Sequence, residues 1–300
     1  MSFRNLFFYI AGMIFLGRAK VKSILWGYPA PKPFGISERD RCIQYDFHVV
    51  DGWLSHLMKY TNDSYSLIGK TVLELGPGSD FGTGIYMLSQ GCSHYNAIDV
   101  FHLMKKTPGS FYELLLNRLQ NKNVRTDVGF LKKQIEEALA GNASRINYVV
   151  RDDFDILKAF GHSNIDLVVS QAAFQAFDDI EKTVSQLSVV CREGAILISE
   201  IDLRTLSRWI RYKDPNNIYR YSPNIYKLFR FRGISNRIRP FQYREALERH
   251  GWTDISITPT STIEDDMTRI YSGLHKTFVR DENQMDYLSI IICARKGPAR

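Results

Sequence analysis

The chain has 300 residues, 44% of them apolar and 24% charged, which is the balance of a globular protein and excludes a disordered or fibrous one. Its net charge of +7 favours anionic partners without choosing among phosphates, acidic glycans, nucleic acid and a lipid surface. Four cysteines, Cys42, Cys92, Cys191 and Cys293, stand without C-x-x-C spacing, and the seven histidines form no H-E-x-x-H pattern. No metal site and no disulfide scaffold is therefore expected, only buried free thiols in a reducing, cytoplasmic setting.

Leu6 to Leu16 is an apolar run with Arg4 before it and Arg18, Lys20 and Lys22 after it. It is shorter than the roughly 20 residues a helix needs to span a bilayer, and no A-x-A-like cleavage site follows. Two readings stay open. The segment is either a peripheral anchor on the inner membrane face, with its cations at the headgroups, or a helix packed on the domain. The Pro- and Gly-rich stretch 27–36 reads as a linker. Between Ser37 and Tyr60, apolar Ile43, Phe47, Val50, Trp53, Leu54 and Leu57 recur at helical spacing, and Ser37 with Asp40 resembles a capping pair. The chain thus divides into an N-terminal helix at 1–26, a linker and helical extension at 27–67, and a main domain at 68–300.

In the main domain, strands alternate with helices. Thr71–Leu75, Tyr95–Val100, Asn147–Val150, Ile165–Ser170 and Ala195–Glu200 read as strands. Helical patterns follow the first of them to about Gln90 and span Phe111–Gln120 and Gly129–Ala140. Continuous apolar strands between helices predict a doubly wound, mostly parallel α/β sheet covered on both faces. A helix at Pro240–His250 and late strands at Asp254–Thr258 and Asp286–Ala294 complete seven strands.

The first strand ends in Val72-Leu-Glu-Leu-Gly76-Pro-Gly78-Ser-Asp-Phe-Gly82-Thr-Gly84. Glycines at a strand-to-helix turn let backbone N–H groups approach a ligand. Phe81 stands where a dinucleotide fingerprint requires glycine, and Glu74 is awkward beside a phosphate, so a cationic cofactor suits this loop better than a pyrophosphate. VLELGPGSD resembles motif I of the class I S-adenosylmethionine methyltransferases, with Asp80 where a third glycine often stands. The resemblance covers roughly residues 68–200 and implies a sheet whose last strand runs antiparallel. It implies S-adenosylmethionine as cofactor, held by Glu74, Gly76, Pro77, Gly78 and Asp80. Asp99, closing the second strand 23 residues after Gly76, would bond the ribose hydroxyls. Asp152, with Asp153 close behind, would meet the adenine amine, and Ser170 and Gln171 would line the methionine end. The Glu-His pair that many members carry just beyond is replaced by Gln175 and Ala176.

An insertion from about Leu203 to Pro240 carries ten Lys or Arg, one acid (Asp214) and seven aromatic residues. It reads either as a grip for a phosphorylated or glycan acceptor or as a solvated helical pair with its rings in the core. Glu200-Ile-Asp202-Leu-Arg204 and Asn236-Arg-Ile-Arg239 resemble small bacterial methyltransferases of surface-glycan and lipid modification. That likeness implies O-methylation of a small, glycan or lipid-linked acceptor, with Asp202, Glu200 or His102 as candidate bases. A nucleic-acid substrate is disfavoured, because Ser-Gln-Ala-Ala stands at 170–173 where amino-base methyltransferases carry an Asn-Pro-Pro-Tyr-like tetrad.

Overall fold

The computed structural model describes residues 2–27, 35–104, 107–122, 126–142, 144–162 and 164–298. Most of the expected linker, 28–34, lies outside them. Seven strands form one sheet in the order β3-β2-β1-β4-β5-β7-β6. They are β1 (Thr71–Leu75), β2 (His94–Asp99), β3 (Ile146–Val150), β4 (Ile165–Gln171), β5 (Cys191–Asp202), β6 (Trp252–Thr262) and β7 (Tyr287–Lys296). The first five pair in parallel, and β7 runs antiparallel to both β5 and β6. The fold is the doubly wound α/β sheet that the alternation predicted, with the antiparallel last strand that the resemblance implied.

Each face of the sheet has its own core. On one, α2 (Arg39–Tyr60), α3 (Gly82–Ser89), α4 (Gly109–Lys122) and α5 (Val128–Leu139) bury Trp53, Leu57, Ile85, Leu115 and Leu131 against Val72, Ala97, Leu167 and Ile196. On the other, α6 (Ile156–Phe160), α7 (Ile180–Val190) and α10 (Pro240–Arg249) bury Ile156, Val184, Leu187 and Leu247 against Leu73, Ile98, Val168 and Leu197. Consecutive residues of β1 and β4 thus serve opposite cores, which is why these strands read as unbroken apolar runs.

A third cluster forms beside the sheet. Here α1 (Phe3–Trp26) meets the insertion, which folds as α8 (Arg208–Lys213), a 3-10 turn at Asn217–Arg220 and α9 (Pro223–Leu228), and the short α11 (Met267–Tyr271). Leu16 packs with Ile218, Tyr219, Tyr221, Tyr226, Ile234 and Ile270. The inner face of α1 is set by Asn5, Phe8, Gly12 and Leu16, buried at helical spacing. A Cβ on Gly12 would lie 1.9 Å from Asn217 Oδ1 and 2.0 Å from Tyr221 Oη, so this crossing accepts only glycine.

Helix α1 fills the N-terminal helical segment expected at 1–26, and its N-cap is Ser2, whose hydroxyl accepts the Asn5 N–H at 3.3 Å. One local expectation changes. Ser37 does not cap α2. The N-cap is Glu38, and it makes no side-chain cap bond. All four cysteines are free and buried as expected, and burial pushes the Cys92 thiol up to about 12 and the Cys293 thiol up to about 11.

Candidate functional site

A cavity of about 310 Å³ opens over the carboxyl ends of β1, β2 and β4, where an open α/β sheet places its ligands. Gly76, Gly78, Asp99, Asp152, Asp153 and Gln171 line it together. Gly76 turns the chain out of β1 at a φ of +74° and Gly78 at +85°, a region costly for any residue with a Cβ. A Cβ on Gly76 would also stand 2.8 Å from that of Ala173. The later glycines of the motif do something else. Gly82 fits against the Asp46 carboxylate and Gly84 against the Tyr95 ring, so they seat α3 on α2 and β2.

Asp99 is buried at the end of β2. Burial is the largest influence on its carboxyl and raises its pKa above the usual 3.8, while backbone N–H groups of Phe101, Val100 and Gly78 pull the other way. The Phe101 N–H reaches Oδ1 at 3.0 Å. Asp99 is thus a desolvated carboxylate joined to the glycine loop, with its remaining capacity to accept facing the cavity.

Asp152 and Asp153 follow β3 on an exposed turn. Arg151 grips both oxygens of Asp153 at 2.8 Å, and this fork holds that carboxyl well below the usual carboxylate range. Asp153 is therefore occupied, and Asp152 is the better placed of the two to accept from a ligand. Phe154 (φ +45°) and Ala172 (φ +50°) both line the cavity in the left-handed region.

The opposite wall was not foreseen. It comprises Phe101, Phe154 and Phe177, with Asp178, Asp179, Lys182 and Thr183 at the start of α7, and Arg232 and Gly233 of the insertion. Phe154 and Phe177 stack tilted at 4.7 Å. Asn236 brings the insertion there by donating from Nδ2 to the carbonyls of Phe174 (2.9 Å) and Phe177 (3.2 Å). An Asp pair opening a helix was a readable sign for Asp179, which caps α7 by accepting the Lys182 N–H at 2.9 Å. No local pattern marks Arg232.

Other predicted positions lie outside the cavity lining. Glu74 is buried under α3, where its Oε2 accepts from Thr83 Oγ1 at 2.7 Å and Tyr95 Oη at 2.5 Å. Asp80 is buried too and accepts the Gly82 N–H at 2.9 Å, shaping the start of α3. Pro77 is buried between the two glycines. Ser170 donates to the Leu75 carbonyl at 3.0 Å, locking β4 to β1. These four support the site and do not wall it.

The three candidate bases also separate. Arg204 (2.9 Å) and Arg211 ion-pair with Asp202, so its carboxylate is engaged by two guanidinium groups. His102 is exposed and sits edge-on to Tyr148, with centroids 5.8 Å apart. Glu200 remains linked to the cavity, since Gln171, one of its lining residues, donates from Nε2 to Glu200 Oε2 at 3.0 Å. Among the described residues no group of His, Cys, Asp and Glu is arranged to hold a metal ion.

In the insertion, much of the expected grip is spent internally. Arg220 forms a buried fork with Asp214 at 2.7 and 2.9 Å. Arg239, fully buried, donates to the carbonyls of Asn283 at 2.8 Å and Tyr287 at 3.2 Å. Arg237 donates to the Tyr221 carbonyl at 2.7 Å and lies 4.1 Å over the Tyr226 ring. Tyr219, Tyr221 and Tyr226 are core residues.

No protein-family model matches the chain, and no curated protein sequence does. Solved structures align with it at low identity. The methyltransferase in complex with the Trm112 activator of Haloferax volcanii is 14% identical, covering 85% of this chain and 95% of its own, with a TM-score of 0.46. The CurJ carbon methyltransferase is 16% identical over 96% of this chain and 67% of its own, with a TM-score of 0.46. An S-adenosylmethionine-dependent methyltransferase of Mesorhizobium loti is 14% identical over 79% and 95%, with a TM-score of 0.43. At this degree of superposition the likeness adds nothing to what the strand order already establishes.

Proposed function

We propose that the protein is an S-adenosylmethionine-dependent methyltransferase that O-methylates a small, glycan or lipid-linked acceptor. The observation that carries this reading is the meeting, in one cavity over the sheet edge, of the Gly76–Gly78 backbone and the buried carboxylate of Asp99. The composition of the wall supports a cationic cofactor. Asp99, Asp152, Asp153, Asp178 and Asp179 line the cavity with Lys182 and Arg232, and Arg151 offsets Asp153 while Arg230 offsets Asp178. The small acid excess that is left favours a sulfonium over a pyrophosphate.

Bound there, S-adenosylmethionine supplies an electrophilic methyl group. The chain's own residues do the rest. Asp99 would accept from the two ribose hydroxyls, Asp152 would accept from the adenine amine, and the rings of Phe101, Phe154 and Phe177 would give the base an apolar wall. Gln171, which lines the cavity, donates to Glu200 at 3.0 Å, and Glu200 would take the proton of an acceptor hydroxyl. Asp202 keeps its arginines and stays out of the reaction. Most of the acceleration comes from holding acceptor and methyl group in line. A nucleic-acid acceptor loses support, because Arg220, Arg237 and Arg239 and the insertion's buried tyrosines are unavailable to bind it.

Isothermal titration with S-adenosylmethionine and S-adenosylhomocysteine tests the cofactor, with micromolar binding expected, about −8 kcal/mol. Binding of NAD with no heat from either would overturn the reading. Methyl-labelled cofactor added to lipid, glycan and RNA fractions identifies the acceptor, and label in RNA alone would refute the acceptor class.

A further inference from the structure

Helix α1 is apolar on two opposite faces, and only one of them is packed. Asn5, Phe8, Gly12 and Leu16 face the insertion. Phe3, Phe7, Ile10, Ile14, Val21 and Ile24 are 46% to 86% exposed. At about 100° per residue the exposed stripe points directly away from the buried one. Arg4, Arg18 and Lys22 lie along one edge of it, Lys20 on the other side donates to the Leu228 carbonyl at 2.7 Å, and no acid occurs before Glu38. No helix among the described residues is long and apolar enough to cross a membrane.

The apolar surface continues off the helix. Trp209 of α8, 45% exposed, sits edge-on to Phe7 at 6.5 Å and stacks on Phe15 at 5.6 Å. Beside it a second cavity, of about 260 Å³, opens between α1 and the insertion. Leu16, Leu206, Ile210, Ile218, Phe231 and Ile234 are among its walls, and Arg18 and Lys22, one helical turn apart, belong to its rim. Phe231 and Ile234 face this cavity while Arg232 and Gly233 between them face the first, so one thickness of chain separates the two.

We propose that this side of the molecule seats on an anionic lipid surface, with one lipid chain entering the second cavity and its phosphate held by Arg18 and Lys22. An amphiphile matches both halves of the cavity, apolar within and cationic at the lip. The cation-edged outer stripe of α1 matches the interface from which such a lipid would come. A helix of 24 residues lies about 36 Å along that surface. The inference stands on this face alone and does not rest on the cofactor reading.

The test uses the full chain with vesicles of phosphatidylcholine, pure or mixed with phosphatidylglycerol. The mixed vesicles should bind at least tenfold more protein, less so at high salt, and binding should shift tryptophan emission to the blue. Trp26 and Trp209 are the exposed reporters, since Trp53 and Trp252 are buried. Ile14→Glu should abolish sedimentation without changing the melting temperature, and Arg18→Gln with Lys22→Gln should abolish the preference for anionic lipid. Dodecyl phosphate below its micelle concentration should bind saturably and dodecanol at least tenfold more weakly. Ala19→Trp, which fills the second cavity, should abolish that binding in a protein whose circular dichroism is unchanged. Equal binding to both vesicles, no vesicle binding, or a dimer dispersed by Ile14→Glu in protein that ignores vesicles would each overturn the proposal. Vesicle binding in protein that takes no S-adenosylhomocysteine would remove the cofactor reading and leave this one intact.

Discussion

Asp99 joins the chemistry of one residue to the function of the cavity. A charge-assisted bond to a buried carboxylate contributes about 1.5–3 kcal/mol, so Asp99→Ala should weaken S-adenosylhomocysteine binding by that amount for each bond lost. The pH dependence has a definite sign. Burial raises the Asp99 pKa above 3.8 in the folded protein, so folding carries a penalty that appears as pH rises through the unfolded value and is complete above the folded one. Asp99→Asn removes that penalty, so the unliganded variant should melt no lower than the parent at neutral pH while its ligand-induced stabilisation shrinks. In the parent, affinity should fall as pH is lowered through the raised pKa, because the protonated carboxyl accepts fewer bonds. A titration series with flat affinity across that window would exclude Asp99 from the cofactor site. Gly76 is the second sensitive residue. Its φ of +74° and the 2.8 Å approach to Ala173 mean that Gly76→Ala must move the loop, and melting temperature and affinity should fall together.

Between elements, the contact of α1 with the insertion is held by both packing and charge. Leu16→Ala should cost about 2–5 kcal/mol in urea unfolding, as expected for a buried leucine whose site cannot collapse. Asp214→Ala leaves Arg220 buried without its fork and should cost about 3–5 kcal/mol. Ile14→Ala, on the outer face of the same helix, should stay within about 0.5 kcal/mol. A large loss there would mean that the stripe is packed in solution. Asn236 tests a different link. It ties the insertion to the carbonyls of Phe174 and Phe177, so Asn236→Ala should loosen Arg232 and Gly233 from the cavity and weaken ligand binding with little change in overall melting. Unchanged affinity would show that the insertion does not shape the cofactor end.

At the scale of the whole molecule, α1 is part of the folded body. A chain beginning after Gly27 would uncover Ile218, Tyr221 and Tyr226, so it should melt lower and self-associate. The layout of the sheet was legible because parallel strands buried on both faces must be apolar throughout, and their alternation with helices admits few topologies. That Gly76, Gly78 and Asp99 gather at one cavity was legible for a related reason: chain spacing locates the carboxyl ends of the strands, and these ends adjoin in such a sheet. Which side chains are free to act was not legible. Glu74, Ser170 and Asp202 have the right chemistry near the right place, yet Thr83 and Tyr95, Leu75, and Arg204 with Arg211 claim them. Arg232 and the Asp178–Asp179 pair reach the cavity from segments far apart in the chain, without any periodicity to announce them. The two-faced character of α1 was hidden for the same reason, since a run apolar all round names no partner. Periodicity and spacing are properties of neighbours along the chain, and from them the sequence by itself determined the sheet, its glycine turn and the acid beside it. Partners and exposure are properties of neighbours in space, and only the tertiary structure decided which carboxylates remain open and which face of α1 is left bare.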